Sequence, residues 1–360
     1  MFKKGIFNFD LGLLLPICVL ILINLATLFS LNINLFKNEL LYTFVGLVVF
    51  LGFSFVNHKV IFFYGKSIYI LSLILLVAVL VIGVEARGSL RWVEIYGFRI
   101  QFAELLKPFL AISLSSFLVS RKSVGIKNFL AIISYITPLV LLVFVQPDLG
   151  DALIYVAVAM LTLIYYGFPI VYFIGVFILL ALLSPLGWLF LHDYQRHRVL
   201  TFLNPASDPL GKSYNAIQSI IAIGAGMFIG KGFGQGSQSG LRFLPERHTD
   251  FIFATISEQL GLIGSTIVII CFFFLLYRIY KISINADDKV SKIFASSCFF
   301  IILVQFFFNV GMNIGILPIV GITLPFLSYG GSSMLTNFII IGLLTSIARS
   351  SGNNKVLEIR

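Results

Sequence analysis

Long apolar stretches that are nearly free of charge alternate along the chain with short polar segments. A helix of about 20 residues crosses the roughly 30 Å of hydrocarbon in a bilayer. Because lipid offers the backbone no hydrogen-bond partners, such stretches are expected to fold as helices. The pattern predicts ten spanning helices, over residues 11–31, 39–57, 62–84, 102–120, 128–145, 150–166, 168–190, 250–276, 293–313 and 328–348.

The composition and the placement of charge support this interpretation. Of the 360 residues, 59% are hydrophobic and only 11% are charged, whereas a soluble domain carries about 25% charged residues. If the N-terminus lies in the cytoplasm, the inner segments hold most basic residues, and the short outer segments hold only Lys37, Arg87, Arg91 and Arg99. This positive-inside bias places both termini in the cytoplasm. It also explains the net charge of +10 without a nucleic-acid partner.

One connection is much longer than the others, because residues 191–249 join the seventh predicted span to the eighth. Loops of this length are usually functional or disordered. Its apolar run "AIQSIIAIGAGMFIG" is too short to cross a bilayer and predicts an interfacial or re-entrant element. We therefore expect an all-α integral membrane protein, a single polytopic domain over residues 1–360 with one large extracytoplasmic loop.

The acidic residues are distributed in the opposite way to the basic ones. Most lie in outer segments or at the outer ends of spans: Glu85, Glu94, Glu104, Asp148, Asp151, Asp193, Asp208, Glu246 and Asp250. The positive-inside rule says little about Asp and Glu, so this clustering needs another cause. We interpret it as a chemically active outer face, which places a candidate active site outside the cytoplasm.

The segment "QFAELLKPFL" carries two opposite charges at the outer end of the fourth span. Glu104 and Lys107 stand three residues apart, on one face of a helix. An ionised side chain within a span costs about 2.5–3.5 kcal/mol, so such residues usually face the bundle interior and pair. The two residues form either a self-neutralising structural pair or a cation that Glu104 holds ready for an anionic group.

The segment "QPDLGDALIY" places two acids at the start of the sixth span. Asp148 stands where an N-cap would be expected. Asp151 follows in the first helical turn, where the helix dipole favours negative charge. A structural role explains Asp151, whereas Asp148 is open to a structural or a functional interpretation.

Basic residues on the outer side are suited to a phosphate or diphosphate, since the arginine fork binds such groups bidentately. Arg196 and Arg198 lie in the large loop, and Lys231 lies in the glycine-rich run "GAGMFIGKGFGQGSQSG". This run is not a Walker motif, because Lys231 is followed by Gly rather than Ser or Thr. Anchoring to lipid headgroups is the alternative role for the arginines, and a backbone cradle for an anion is an alternative for the glycines.

The segment "LPERHTDFIF" places Asp250 directly before a long apolar run. Asp250 could cap the eighth span, where the helix dipole favours an acid. Glu246, His248 and the deeper Glu258, however, make the approach to this helix unusually polar. A partly desolvated carboxylate at the boundary of water and lipid is also suited to act as a general base for a hydroxyl presented from the aqueous side.

Two long segments together resemble the SEDS family (shape, elongation, division and sporulation): "NPASDPLGKSYNAIQSIIAIGAGMFIGKGFGQGSQSGLRFLPERHTDFIF" and "GILPIVGITLPFLSYGGSS". The resemblance extends from about Arg91 to the last span. "HDYQRHRVLTFLNP" and the short tails favour the family member that acts in cell elongation over the one that acts in division. It implies a peptidoglycan glycosyltransferase that polymerises lipid II at the outer face of the cytoplasmic membrane, with a class B penicillin-binding protein as the partner that crosslinks the strands.

The resemblance also implies roles for individual residues. Asp250 matches the family's essential aspartate, which is taken as the base. Glu104 and Lys107 match its Glu-x-x-Lys pair, and Asp148 matches the acid of its Gln-Pro-Asp-Leu-Gly motif.

The chain departs from the family pattern at two places. Phe102 and Ala103 stand where Pro-Ser is usual, which concerns the backbone next to Glu104. Asp151 stands where a small residue is usual, and it adds negative charge beside Asp148.

The implied mechanism transfers a growing glycan from undecaprenyl diphosphate to the sugar 4-hydroxyl of lipid II, with inversion and with Asp250 as general base. The cations expected to meet the charge of the leaving diphosphate are Lys107, Arg196 and Arg198, with Arg91 or Lys231 as further candidates. A divalent cation such as Mg²⁺ or Mn²⁺ would serve the same purpose. No ligand spacing predicts a protein metal site, and the three cysteines lie in apolar spans.

Two other classes of function compete with this one. Broken helices and charges within spans also suit a lipid II flippase or related transporter, although no inverted repeat is evident and the acids collect at the outer ends of the spans. A non-catalytic scaffold for the penicillin-binding protein is the other alternative, and it would tolerate replacement of Asp250.

Overall fold

The structure, a computed structural model, describes residues 10–86, 89–95, 98–121, 123–190, 196, 200 and 213–357. Within these ranges it consists almost entirely of helices. They are α1 (Leu11–Leu31), α2 (Ile33–Phe55), α3 (His58–Phe63), α4 (Gly65–Ile82), α5 (Phe102–Leu105), α6 (Lys107–Ser120), α7 (Ile126–Val145), α8 (Leu149–Tyr166), α9 (Ile170–Phe190), α10 (Tyr214–Ala225), α11 (Ser237–Gly240), α12 (Ile252–Asn285), α13 (Lys289–Asn313) and α14 (Gly331–Leu357).

The helices confirm the prediction of an all-α, multi-pass membrane protein. In the described ranges, nine helices are long and apolar enough to cross a membrane: α1, α2, α4, α7, α8, α9, α12, α13 and α14. The remaining predicted span, residues 102–120, is helical in two pieces, α5 and the apolar α6, which meet at Leu106. The second span begins at Ile33 and the eighth ends at Asn285, so both helices are longer than the hydrophobic pattern predicted.

The main apolar core joins α1, α2, α6, α8, α12, α13 and α14. Helix α14 lies inside this core, with most of its side chains buried as far as Ser351. Helix α9 is different, because it packs through Tyr172 and Phe173 against Phe129 of α7 while the rest of its apolar surface faces outward. An outward apolar surface of this kind is expected where the solvent is lipid.

A small antiparallel sheet, which the sequence analysis did not predict, lies between α4 and α5. Its strands are β1 (Val84–Ala86), β2 (Ser89–Ile95) and β3 (Phe98–Ile100), in the order β1-β2-β3. Val93 pairs with Ile100 and Glu94 pairs with Arg99 across β2 and β3. The sheet places Arg91 on its central strand and leads the chain directly to Gln101 at the start of α5.

The glycine-rich run of the large loop forms backbone hydrogen bonds with α12 at a break in that helix. Gly261 (φ 66°, ψ −159°) interrupts this helix and exposes backbone groups that need partners. Gly230 (φ 81°) passes so close that a β-carbon there would lie 2.2 Å from a carbonyl oxygen of α12. Four backbone hydrogen bonds join the segments: Lys231 N to Glu258 O (2.9 Å), Gly232 N to Gln259 O (2.9 Å), Leu262 N to Met227 O (2.8 Å) and Ile263 N to Phe228 O (3.1 Å). These glycines therefore allow two backbones to meet.

Candidate active site

Asp250 lies in the turn that precedes α12. It is half-buried, and Phe251 rather than Asp250 holds the N-cap position of the helix. The main-chain carbonyl oxygen of Asp250 accepts hydrogen bonds from the side-chain amides of Asn309 (3.1 Å) and Asn313 (3.0 Å) on α13. Its carboxylate lies against Gly321, where an added β-carbon would be 3.5 Å from Oδ2. The side chain is thus directed along the loop between α13 and α14.

That loop and the turn carrying Asp250 are held together by hydrogen bonds. The hydroxyl of Ser328 donates to the carbonyl oxygen of Thr249 (2.7 Å), and the N–H of Tyr329 donates to that of His248 (2.8 Å). At Gly321 the backbone φ is 75°, a conformation that glycine adopts without strain. The position of Asp250 therefore depends on a loop about seventy residues further along the chain.

The start of α8 meets the same loop. A β-carbon at Gly150 would lie 2.8 Å from the carbonyl oxygen of Val320, so only glycine permits this approach. Gly150 stands between Asp148 and Asp151 in the chain. The segment 320–322 therefore contacts both the start of α8 and the turn of Asp250.

Lys107 lies at the centre of a buried cluster of charges. Its Nζ is 2.5 Å from Oε2 of Glu104 and 2.8 Å from Oδ1 of Asp151. With only 1% of the residue exposed, Lys107 has two carboxylate partners and almost no access to solvent. This arrangement agrees with the self-neutralising interpretation of the Glu104–Lys107 pair, and it gives Asp151 a partner that spacing along the chain did not indicate.

Asp148 connects this cluster to the sheet of β1, β2 and β3. Its Oδ1 accepts the N–H of Asp151 (3.2 Å) and so caps α8, while its Oδ2 accepts a hydrogen bond from Gln101 and lies 3.6 Å from Nη1 of Arg91. Burial and the adjacent Asp151 carboxylate raise the pKa of Asp148 from 3.8 to about 6, and Arg91 acts in the opposite direction. Nε of Arg91 is buried and has no hydrogen-bond partner in the described part of the chain.

The charge cluster and Asp250 are joined by polar side chains of α13. Gln305 donates to Oε1 of Glu104 (3.2 Å), and Asn309 and Asn313 hold the Asp250 carbonyl. These three amides follow one another at intervals of four residues, which places them on one face of the helix. The sequence analysis did not single them out, although amides repeated at this spacing in an apolar helix are the signal that would have identified them.

The other candidate cations do not gather in one place. Arg196 donates from Nε and Nη2 to the carbonyl oxygens of Trp188 and Leu189, both at 3.0 Å, and so closes the end of α9. Lys231 has a side chain that is 34% exposed, donates to Oγ of Ser237 (2.9 Å) and lies 3.8 Å from a Glu258 oxygen. Arg198 lies outside the described residues.

Within the described ranges, no group of three or more His, Cys, Asp or Glu side chains is arranged to hold a metal ion. In the one dense acidic cluster, Lys107 and Gln101 already occupy carboxylate oxygens of Asp151 and Asp148.

Comparison with known proteins places the chain among enzymes of cell-wall synthesis. Residues 4–353 match the model of the FTSW_RODA_SPOVE family, described as cell cycle protein. The peptidoglycan glycosyltransferase MrdB of Escherichia coli (strain K12) is 39% identical over 311 residues, which cover 84% of this chain and 82% of the relative. The probable peptidoglycan glycosyltransferase FtsW of Wigglesworthia glossinidia brevipalpis is 37% identical over 315 residues, 86% of this chain and 82% of the relative.

Solved structures show the same fold. A chain from a peptidoglycan synthase complex that coordinates polymerization and crosslinking superposes with a TM-score of 0.84 at 28% identity, covering 96% of this chain and 99% of the other. The rod shape determining protein RodA of Thermus thermophilus superposes with a TM-score of 0.74 at 24% identity, covering 96% and 98%. The resemblance drawn from the sequence motifs is thereby confirmed, and the chain belongs to the FTSW_RODA_SPOVE family of cell cycle proteins.

Proposed function

We propose that this protein is a peptidoglycan glycosyltransferase that polymerises lipid II at the outer face of the bacterial cytoplasmic membrane during cell elongation. One observation carries the proposal: Asp250 is half-buried, lies outside helix α12 and is directed along the loop at Gly321, in a chain 39% identical to a peptidoglycan glycosyltransferase. A carboxylate in that setting remains accessible while part of its hydration is lost, which suits a general base.

In the proposed reaction, the 4-hydroxyl of the lipid II sugar attacks the anomeric carbon of a glycan linked to undecaprenyl diphosphate. Asp250 accepts the hydroxyl proton as the new glycosidic bond forms. The bond to the diphosphate breaks with its electron pair on the leaving oxygen, and the anomeric configuration inverts. General-base assistance of this kind is typically worth about 10²–10⁴-fold in rate.

The leaving diphosphate needs positive charge, and Arg91 is the first candidate to supply it. Within the described ranges its Nε is buried without a hydrogen-bond partner, and the contact of Nη1 with Asp148 is long, at 3.6 Å. A preorganised donor near developing negative charge is often the largest single contribution to catalysis. The partly exposed Lys231 is the second candidate.

The remaining cations have less direct roles in the proposal. Lys107 fixes the backbone around the site rather than binding the diphosphate, because two carboxylates enclose it and it is 1% exposed. Arg196, which is half-buried, and Arg198 are candidates for contacts with the diphosphate or with headgroups. A divalent cation bound to the diphosphate itself would add to this positive charge.

The topology and the partner complete the proposal. We propose that both termini lie in the cytoplasm and that Asp250 lies on the outer side, where lipid-linked precursors meet water; the distribution of basic residues supports this orientation. We propose a class B penicillin-binding protein as partner, in line with the peptidoglycan synthase complex from which the similar structure comes.

The test is polymerisation of labelled lipid II by the purified protein, reconstituted in liposomes with its transpeptidase partner. Wild type is expected to form polymer. Asp250→Ala and Asp250→Asn are each expected to lower the polymerisation rate by a factor of about 10² or more. Glu94→Gln is the matched control, since this outer-face acid pairs with Arg99 on the sheet at 3.7 Å. It should polymerise normally.

Polymer formed at the wild-type rate by Asp250→Ala would rule out Asp250 as the base. No polymer from wild type while the transpeptidase partner stays bound would favour a scaffold. Passage of lipid II across the vesicle membrane with no polymer from wild type would instead favour a transporter.

A further inference from the structure

The side-chain amide of Asn313 is inserted into the start of α12. Its Oδ1 accepts the N–H of Ala254 (3.0 Å), and its Nδ2 donates to the carbonyl oxygen of Asp250 (3.0 Å). In a helix that began one turn earlier, the N–H of Ala254 would bond directly to the carbonyl of Asp250. Asn313 therefore satisfies both groups while it keeps Asp250 out of the helix.

Asn309, one turn earlier on α13, fixes the same carbonyl from a second direction. Its Nδ2 donates to the carbonyl oxygen of Asp250 (3.1 Å) and to that of Ile322 (2.7 Å). Ile322 follows Gly321, against which the Asp250 carboxylate lies. The side-chain amide of Asn309 thus links the main chain of Asp250 to the loop that the Asp250 carboxylate faces.

Both asparagines are fully buried, and helix α10 of the large loop is hydrogen-bonded to Asn313. Asn309 and Asn313 are 0% exposed. The hydroxyl of Ser219 on α10 donates to the carbonyl oxygen of Asn313 (2.8 Å). Buried polar networks whose members are bonded hold their geometry tightly, because an unpaired buried amide is costly.

We propose that Asn313, supported by Asn309, is a positioning residue for the general base. Without the inserted amide, Ala254 N–H and the Asp250 carbonyl are left to pair with each other, and α12 extends toward its N-terminus. Each residue added to a helix turns by about 100° relative to the previous one, so this extension rotates the Asp250 carboxylate away from Gly321. The inference rests on the proposed role of Asp250.

The test measures kcat and KM for lipid II in the reconstituted complex. In Asn313→Ala, kcat is expected to fall about 10- to 100-fold because the base is misplaced, while KM changes by less than about threefold, since the substitution leaves the groups that bind lipid II in place. Thr162→Ala is the matched control: Thr162 is equally buried, its hydroxyl shares a hydrogen bond with that of Ser297 (3.1 Å), and it lies at the opposite end of α8 from Asp148. It should lower the thermal midpoint comparably and leave kcat near wild type.

A second measurement separates positioning from loss of fold. In an Asp250→Glu background the carboxylate is already displaced, so adding Asn313→Ala should lower kcat much less than it does in wild type. An equal loss in both backgrounds, or a loss of kcat in Thr162→Ala as large as in Asn313→Ala, would overturn the inference. If Asn313→Ala keeps full kcat while Asp250→Ala is inactive, the positioning role fails alone; if Asp250→Ala stays active, the proposed function fails.

Discussion

Replacement of Lys107 by methionine tests how the buried charges of this protein are balanced. The Lys107 ammonium lies 2.5 Å from Glu104 and 2.8 Å from Asp151, and the three residues are 1%, 4% and 5% exposed. Methionine fills a similar volume but leaves two carboxylates without their cation. Replacement of Asp151 by asparagine leaves a one-to-one pair between Glu104 and Lys107.

The two substitutions are therefore expected to differ strongly in their effect on stability. Removing one partner of a buried ion pair costs about 3–5 kcal/mol, so Lys107→Met should lower the free energy of unfolding by about this amount. In Asp151→Asn, the single side-chain oxygen retains the contact with Lys107, whereas the hydrogen bond from Gln101, which uses the other carboxylate oxygen, is lost. Its effect should stay within about 1 kcal/mol, the net value of one hydrogen bond.

The assay is thermal unfolding of the purified protein in detergent micelles, with wild type, both single variants and the double variant compared under one condition. Lys107→Met should show the lowest midpoint. The double variant should recover part of the loss, since one fewer carboxylate is left unpaired. Equal destabilisation by Asp151→Asn and Lys107→Met, or a neutral Lys107→Met, would refute this account of the charge balance.

Three further predictions follow from the backbone and from Asp148. Gly321→Ala adds a β-carbon 3.5 Å from the carboxylate of Asp250, the proposed base, at a φ of 75°. We therefore expect polymerisation about tenfold slower than in Gly330→Ala, given strain of about 1–2 kcal/mol. Gly230→Ala, whose β-carbon would lie 2.2 Å from an α12 carbonyl oxygen, should lower the thermal midpoint far more than Gly224→Ala, which meets nothing within 4 Å. The pKa of Asp148 is raised from 3.8 to about 6, so its ionisation costs stability as the pH rises through that window. The thermal midpoint of Asp148→Asn minus that of wild type should therefore increase as the pH rises from 3.8 to about 6 and then level off. A difference that stays constant with pH would contradict this.

The sequence predicted the membrane helices because they are local signals. A run of about 20 apolar residues is identifiable without knowledge of its neighbours. The place of Asp250 directly before such a run left a helix cap and a general base both open, and the family resemblance favoured the base. The Glu104–Lys107 pair was visible because the two residues are three apart on one helix, although that spacing left its role open.

Some features were missed because their signals are weak or lie far apart in the chain. In the sheet, β1 and β3 have three residues each, too few for alternation to mark them, and the seven residues of β2, "SLRWVEI", do not alternate strictly. The glycine-rich run suggested an anion cradle as an alternative, whereas the structure brings it against the break at Gly261. Nothing near Lys231 in the sequence indicates that its N–H bonds to the carbonyl of Glu258.

The sequence by itself determined that this chain is a helical membrane protein with acids gathered at one side, because hydrophobic length and charge are properties of single segments. Only the tertiary structure decided that Asp151 shares Lys107 with Glu104, and that Asn313 holds Asp250 outside its helix. The partners in these contacts lie 44 and 63 residues apart along the chain. Hydrogen bonds and ion pairs act over about 3 Å, so their partners are fixed by how the helices pack and not by their order in the chain.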